Sequence, residues 1–166
     1  AGVIIEGGCI IKDGTSVHAG VHIVDTCSGQ LDIGYRCTIR SRAILYDNVT
    51  LGDFVQIGHS SIIRQGTVVK DHAVIGSLNQ IEGNCIIGRY SRLHSNVHIS
   101  MNSKIGNYCF IAPGFIPTNT PFPLSPLDNQ YTTGVTLGDH VKIGANVTTA
   151  PNIKIGKNSF IGLGSV

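Results

Sequence analysis

Charge is scarce in this chain. Its 166 residues carry 12 Lys or Arg and 10 Asp or Glu, 13% in all, for a net charge of +2. No run of like charge stands out, which argues against a nucleic-acid footprint or an acidic tail. No stretch is apolar and long enough to be a transmembrane segment, and none is signal-like, so no membrane insertion and a cytoplasmic location are expected. Five cysteines occur without a Cys-x-x-Cys spacing, so no metal is expected. There is no linker or low-complexity tract, and residues 1–166 are expected to form one domain. So little charge is low for a wholly solvated protein, which points to a face covered by further copies of the chain.

What the chain has instead is a period of six. Ile33, Ile39, Leu45, Leu51, Ile57, Ile63, Val69, Ile75, Ile81, Ile87, Leu93, Ile99, Ile105 and Ile111 stand six apart without a miss. A helix of about 3.6 residues per turn cannot keep that spacing on one face, whereas a short strand followed by a corner can. Three hexads close a triangular coil of about 18 residues, which predicts an all-β parallel β-helix of about eight coils. The position two before each aliphatic is small or apolar, as a narrow axis demands, except at Asn79. Cys9, Cys37, Cys85 and Cys109 fall there and are read as small buried residues rather than disulfide partners. Cys27 abuts a break in the repeat.

There are two breaks. Ile5, Ile11, Val17 and Ile23 keep register, but Ile33 follows Ile23 by ten residues, placing four extra residues near Thr26 to Gln30. After Ile111, hexads start at Pro117 and Leu137, twenty residues apart where six are due. The insertion of fourteen is a long loop at about 117–134, reaching at most 136, and holds four of the six prolines. A Pro-rich excursion on a regular scaffold reads as a binding loop, with Phe122, Leu124, Leu127 and Tyr131 as apolar anchors. The alternative is a disordered surface insertion.

Stacking aligns residues about 18 apart. One outward column reads Arg36, Phe54, His72, Tyr90, Tyr108 and His140, a ladder of rings that accounts for both histidines. The corner after the second hexad differs. Its columns read Arg40, Gly58, Gly76, His94, Ala112; then Ser41, His59, Ser77, Ser95, Pro113; then Arg42, Ser60, Leu78, Asn96, Gly114. His94, His59 and Asn96 gather on this edge, with room beside His94 between Gly76 and Ala112, and the long loop leaves from the next corner. That combination predicts an active site. His22 and His98 lie with Ile44, Ile62 and Ile116 on one outward face and are read as interface packing. Late coils rich in small residues, Gly144, Ala145, Ala150 and Gly162 among them, allow a linear ligand to lie against the backbone.

With this pattern the whole chain resembles the hexapeptide-repeat acyltransferases. The left hand of the helix comes from that resemblance, since general crossover rules favour the other. The resemblance implies a homotrimer with acyl-CoA in clefts between prisms. Between Leu93 and the C-terminus, Leu-His-Ser-Asn-Val, then Ile-Ala-Pro-Gly-Phe-Ile, then Thr118-Asn119-Thr-Pro-Phe-Pro is similar to the nucleotide-linked amino-sugar N-acetyltransferases. There His94 stands where that pattern often has Gln, and Thr120 where it often has Asp. His59 holds a position where several acyltransferases of this fold place a base.

The expected activity is therefore acetyl transfer from acetyl-CoA, as co-substrate, to the amine of a sugar. His94 or His59 would accept the proton, Asn96, Thr118 and Asn119 would orient the sugar, and Arg40 or Arg42, with Arg64 and Arg92, would meet a diphosphate. Gly144, Ala145, Ala150 and Gly162 would lie along the cofactor. The alternatives are a sugar or serine O-acetyltransferase, a zinc protein of the γ-class carbonic anhydrase type built on His72, His94 and His98, and a non-catalytic scaffold. The chain stops mid-coil at Val166, from which a further C-terminal segment is expected.

Overall fold

Strand and corner alternate along the whole computed structural model, which describes residues 2–26, 29–126 and 132–166 and contains no helix among them. All strand pairs are parallel, and they build three sides of a prism. Side one is an eight-stranded sheet running from Gly8–Ile11 to Lys154–Ile155. Side two is an eight-stranded sheet from Ser16–Val17 to Phe160–Ile161. Side three has six strands from Ile4–Ile5 to His98–Ile99, followed by the separately paired Ile116–Pro117 and Thr148–Thr149. The hexad aliphatics stack on one another in register, as in Ile39 with Ile57 and Ile75 with Leu93.

Both predicted breaks are insertions at corners. Ile11 pairs with Ile33, four residues beyond a regular coil, and Ile105 pairs with Leu137, fourteen beyond. The short insertion docks on Asp47, which is buried at 2% exposure. Thr26 Oγ1 donates to Asp47 Oδ1 at 2.7 Å, and the Gly29 amide donates to its other oxygen at 3.3 Å. The long loop is tied at its base, where the Thr133 amide donates to the Asn119 carbonyl (3.2 Å) and Asn102 Nδ2 to the Thr132 carbonyl (3.1 Å). Leu124 is fully exposed, so it does not anchor the loop as expected. The expectations for Leu127, Tyr131 and Cys27 lie outside the described residues.

The axial residues are chosen for chemistry as well as size. Ser61 and Ser91 donate through Oγ to the Gly76 and Gly106 carbonyls, each at 2.7 Å and fifteen residues on. Thr67 donates likewise to the Glu82 carbonyl, and Cys37 and Cys109 to those of Gly52 and Gly138. A corner carbonyl turned inward is thereby satisfied without water. Asn79, the exception in size, is buried and accepts the Val97 amide at 2.7 Å while donating to the Gly76 carbonyl. Burial pushes the Cys85 thiol up to about 12, and those of Cys37 and Cys109 upward, so these inward thiols are poor nucleophiles.

Away from the two insertions, the corners turn through one residue of positive φ. The third corner fills it with Asn48, Gly66, Asn84, Asn102 and Asn152, which tolerate it well. The first corner fills it with rings. Phe54, His72, Tyr90, Tyr108 and His140 stack with centroids 4.5–5.1 Å apart and interplanar angles of 2–5°, and the Arg36 guanidinium lies over Phe54. The predicted ladder is present, and it offers solvent ring edges rather than faces. The outward column of side three is less apolar than expected. Ile44 and Ile62 are neighbours, but Gln80 and His98 separate them from Ile116. His22 instead pairs with Glu6 at 2.9 Å.

Candidate active site

The second corner is built by chain segments that leave side two and enter side three. Coils stack closely there because glycine fills the first position at Gly58 and Gly76; a methyl on Gly76 would stand 2.7 Å from the backbone of His94. This contact fixes the order along the edge. Ser77 lies over His59 and Ser95 over Ser77, so His59 and His94 share a corner but are two coils, about 10 Å, apart. They do not form a hydrogen-bonded pair. Arg40 and Arg42 lie one coil below His59, and Gly144 and Ala145 two coils above His94, with Gly162 one further.

His59 is exposed, and its ring has no hydrogen-bond partner among the described residues; its backbone amide donates to Ser77 Oγ at 3.1 Å and its carbonyl accepts the Leu78 amide at 2.9 Å. His94 is also exposed, but its ring is engaged: the Ser95 amide donates to His94 Nδ1 at 2.9 Å. Beside it lies a hollow of about 60 Å³ lined by Val74, Gly76, Arg92, Leu93, His94 and Ser95. The hollow opens on the Gly76 side of the ring and Ala112 is not part of its lining. Asn96 is exposed and is the positive-φ residue of its coil, at 58°. Turn geometry alone accounts for an Asn there. Leu78, one coil below Asn96, meets the same backbone demand at 59° with 64% of its surface exposed, which sequence reasoning passed over. A larger hollow, about 520 Å³, is lined by His140, Lys142, Asn158 and Phe160 and includes neither His59 nor His94.

Thr118, Asn119 and Ala150 belong to the third corner. Thr118 Oγ1 donates to the Thr149 carbonyl at 2.9 Å, and the strand His98–Ile99 lies between that corner and Asn96. One prism therefore does not bring Thr118 and Asn119 against His94; the loop leaves from the next corner, as the spacing predicts. The reason is geometric, since each hexad ends on a different edge of the triangle.

The zinc alternative needs three converging histidines. His72 is in the ring ladder of the first corner, His94 is at the second, and His98 points outward from side three. Among the described residues no group of three or more His, Cys, Asp or Glu is placed to hold a metal ion, and no helix is long and apolar enough to cross a membrane.

Residues 66–100 and 134–166 match the family "Bacterial transferase hexapeptide (six repeats)". The galactoside O-acetyltransferase of Escherichia coli (strain K12) is 33% identical over 89 residues, covering 50% of this chain and 44% of that enzyme. That of Lactococcus lactis subsp. lactis (strain IL1403) is 35% identical over 83 residues, covering 48% and 40%. The matches thus span less than half of either relative's length. The polySia specific acetyltransferase NeuO shares the fold, with a TM-score of 0.51, 19% identity, and coverage of 98% of this chain and 74% of that one. The period of six, stacked into parallel coils on either side of its two breaks, is that of the hexapeptide repeat whose family model matches residues 66–100 and 134–166 of this chain.

Proposed function

We propose that this protein transfers an acetyl group from acetyl-CoA to a sugar, with the amine of a nucleotide-linked amino sugar as the acceptor. The observation that carries the proposal is the second corner, where two exposed imidazoles, His59 and His94, stand on an edge stacked tightly through Gly58 and Gly76. A neutral amine attacks the thioester carbonyl, and an imidazole, His59 or His94, takes its proton. Backbone amides along Gly144, Ala145, Ala150 and Gly162 would lie beside the body of the donor. Arg40 and Arg42 would meet acceptor phosphates.

Thr118 and Asn119 lie one full side away from His94, so a site using both edges must be shared between copies. That separation supports a homotrimer in which the loop of one prism closes over the second corner of the next. A second acceptor class, a sugar hydroxyl, is favoured by the names of the two curated relatives. A thiol-release assay with acetyl-CoA tests both readings, run across amino-sugar nucleotides and galactosides with product NMR. An amide product with the former supports the first reading and an ester with the latter the second. No CoA release with any acceptor, and no CoA binding at millimolar concentration, overturns acetyl transfer.

A further inference from the structure

The two histidines of the second corner are not equivalent, and the difference originates one coil away. A backbone amide at the second position of this corner can take an acceptor from the coil above. For His59 that acceptor is Ser77 Oγ, at 3.1 Å. At the equivalent place on the first corner, Asp53, Asp71, Asn107 and Asp139 each accept the amide of the coil below. The residue above Ser95 is Pro113, whose side chain accepts nothing. The Ser95 amide turns instead to His94 Nδ1, at 2.9 Å. A ring nitrogen that accepts an N–H carries no proton, so the neutral imidazole holds its proton on Nε2. Nε2–H can donate but cannot take up a proton, and Nδ1 is occupied. His59, with no partner on its ring, is under no such restraint.

We infer that His94 serves the bound substrate as a hydrogen-bond donor through Nε2–H, and that proton abstraction belongs to His59. The assignment rests on the acetyltransferase reading and divides its labour along the edge. At His59 the acceptor nitrogen bonds to the thioester carbonyl carbon while its proton passes to the free ring nitrogen. The tetrahedral adduct then collapses, and the departing CoA thiolate takes that proton up. About 10 Å along the edge, His94 holds another part of the same ligand. Arg92 is the charged residue lining the His94 hollow, to which the coil below brings Val74 and Gly76.

The first test needs no turnover. In ¹⁵N-labelled protein above the titration range of imidazole, His94 Nδ1 is expected to show the unprotonated nitrogen signature and Nε2 the protonated one. Pro113→Ser places a hydroxyl where Ser77 stands over His59, and it should shift the ring toward a mixture of tautomers. A wild-type ring protonated on Nδ1 overturns the inference.

The second test is kinetic. His94→Ala should raise KM by about tenfold, the worth of a hydrogen bond of ordinary strength, and affect kcat far less. His94→Gln, whose amide donates from the same distance along the side chain, should recover most of that loss. His59→Gln should lower kcat by about 10²–10⁴ and remove the acidic limb of the pH profile, which His94→Ala leaves in place. An active wild type in which His94→Gln is as impaired as His94→Ala, with the limb gone, overturns the inference and spares acetyl transfer. A wild type that turns over no acetyl-CoA overturns both.

Discussion

Gly76 lies directly beneath His94, and its lack of a side chain sets the height of the active edge. A Cβ there would meet the His94 carbonyl carbon and oxygen at 2.7 Å and the Ser95 nitrogen at 2.8 Å. These are backbone atoms in a hydrogen-bonded coil, so they cannot swing aside. Gly76→Ala is expected to destabilise the prism by about 1–3 kcal/mol and to impair the site more than its distance from solvent suggests; chemical denaturation and acetyl-CoA turnover check the two effects. Asp71 answers to a different force. The Asp53 amide, donating to its Oδ1 at 3.1 Å, and then Arg89, at 2.8 Å from Oδ2, hold its carboxyl below the usual carboxylate range against some desolvation. A depressed folded-state value stabilises the fold above the unfolded carboxylate range, near pH 4, and the contribution disappears as pH falls through the folded value. Asp71→Asn keeps an oxygen for the Asp53 amide, as Asn107 does for Arg89. Its urea midpoint should therefore fall less than that of the wild type between pH 6 and pH 3.

At the scale of the element, the first corner places Phe54, His72, Tyr90, Tyr108 and His140 at a backbone conformation that the third corner assigns mostly to Asn and Gly. A non-glycine residue there costs about 1 kcal/mol, while each stacked pair returns about 0.5–1.5 kcal/mol. Tyr90 stacks on two neighbours, at 4.5 and 5.1 Å. Tyr90→Ala loses both contacts and keeps the backbone cost, so it should lower stability by about 1–3 kcal/mol. Tyr90→Asn loses the same contacts but relieves part of the backbone cost and should be the milder change. Thermal unfolding of both variants decides the order, and equal losses would show that the left-handed conformation carries no cost here. This ladder, the coil height and both insertions were legible in the sequence because one repeat length governs both side-chain facing and stacking. The site was legible only in part. Counting by eighteens shows which residues share an edge, as His59 and His94 do. Counting by sixes puts Thr118 and Asn119 on the next corner, a side away. Neither count shows the Ser95 amide on His94 Nδ1, although Pro113 in that column was an available signal.

For the whole molecule, the fourteen-residue loop is an excursion that the prism does not need. Its two ends are already joined, since the Thr133 amide bonds the Asn119 carbonyl, and the regular ladder resumes at once with the Lys104 amide on the Val135 carbonyl. Removing residues 119–132 and joining Thr118 to Thr133 puts Leu137 six places after Pro117, the spacing the rest of the chain obeys. Loop length enters stability only as a slowly varying closure entropy. The deletion should therefore keep parallel-sheet circular dichroism and change the unfolding midpoint little. The losses expected at the loop base are two hydrogen bonds, from the Thr133 amide to the Asn119 carbonyl and from Asn102 Nδ2 to the Thr132 carbonyl. Acetyl transfer should behave differently, because the deletion removes Asn119 and the Pro-rich segment after it, one of the two edges from which an acceptor site shared between copies would be assembled. A folded prism with acetyl-CoA affinity intact and KM for the sugar raised by tenfold or more would assign the loop to the acceptor. Unchanged kinetics would confine acceptor binding to the second corner, leaving the loop a surface insertion.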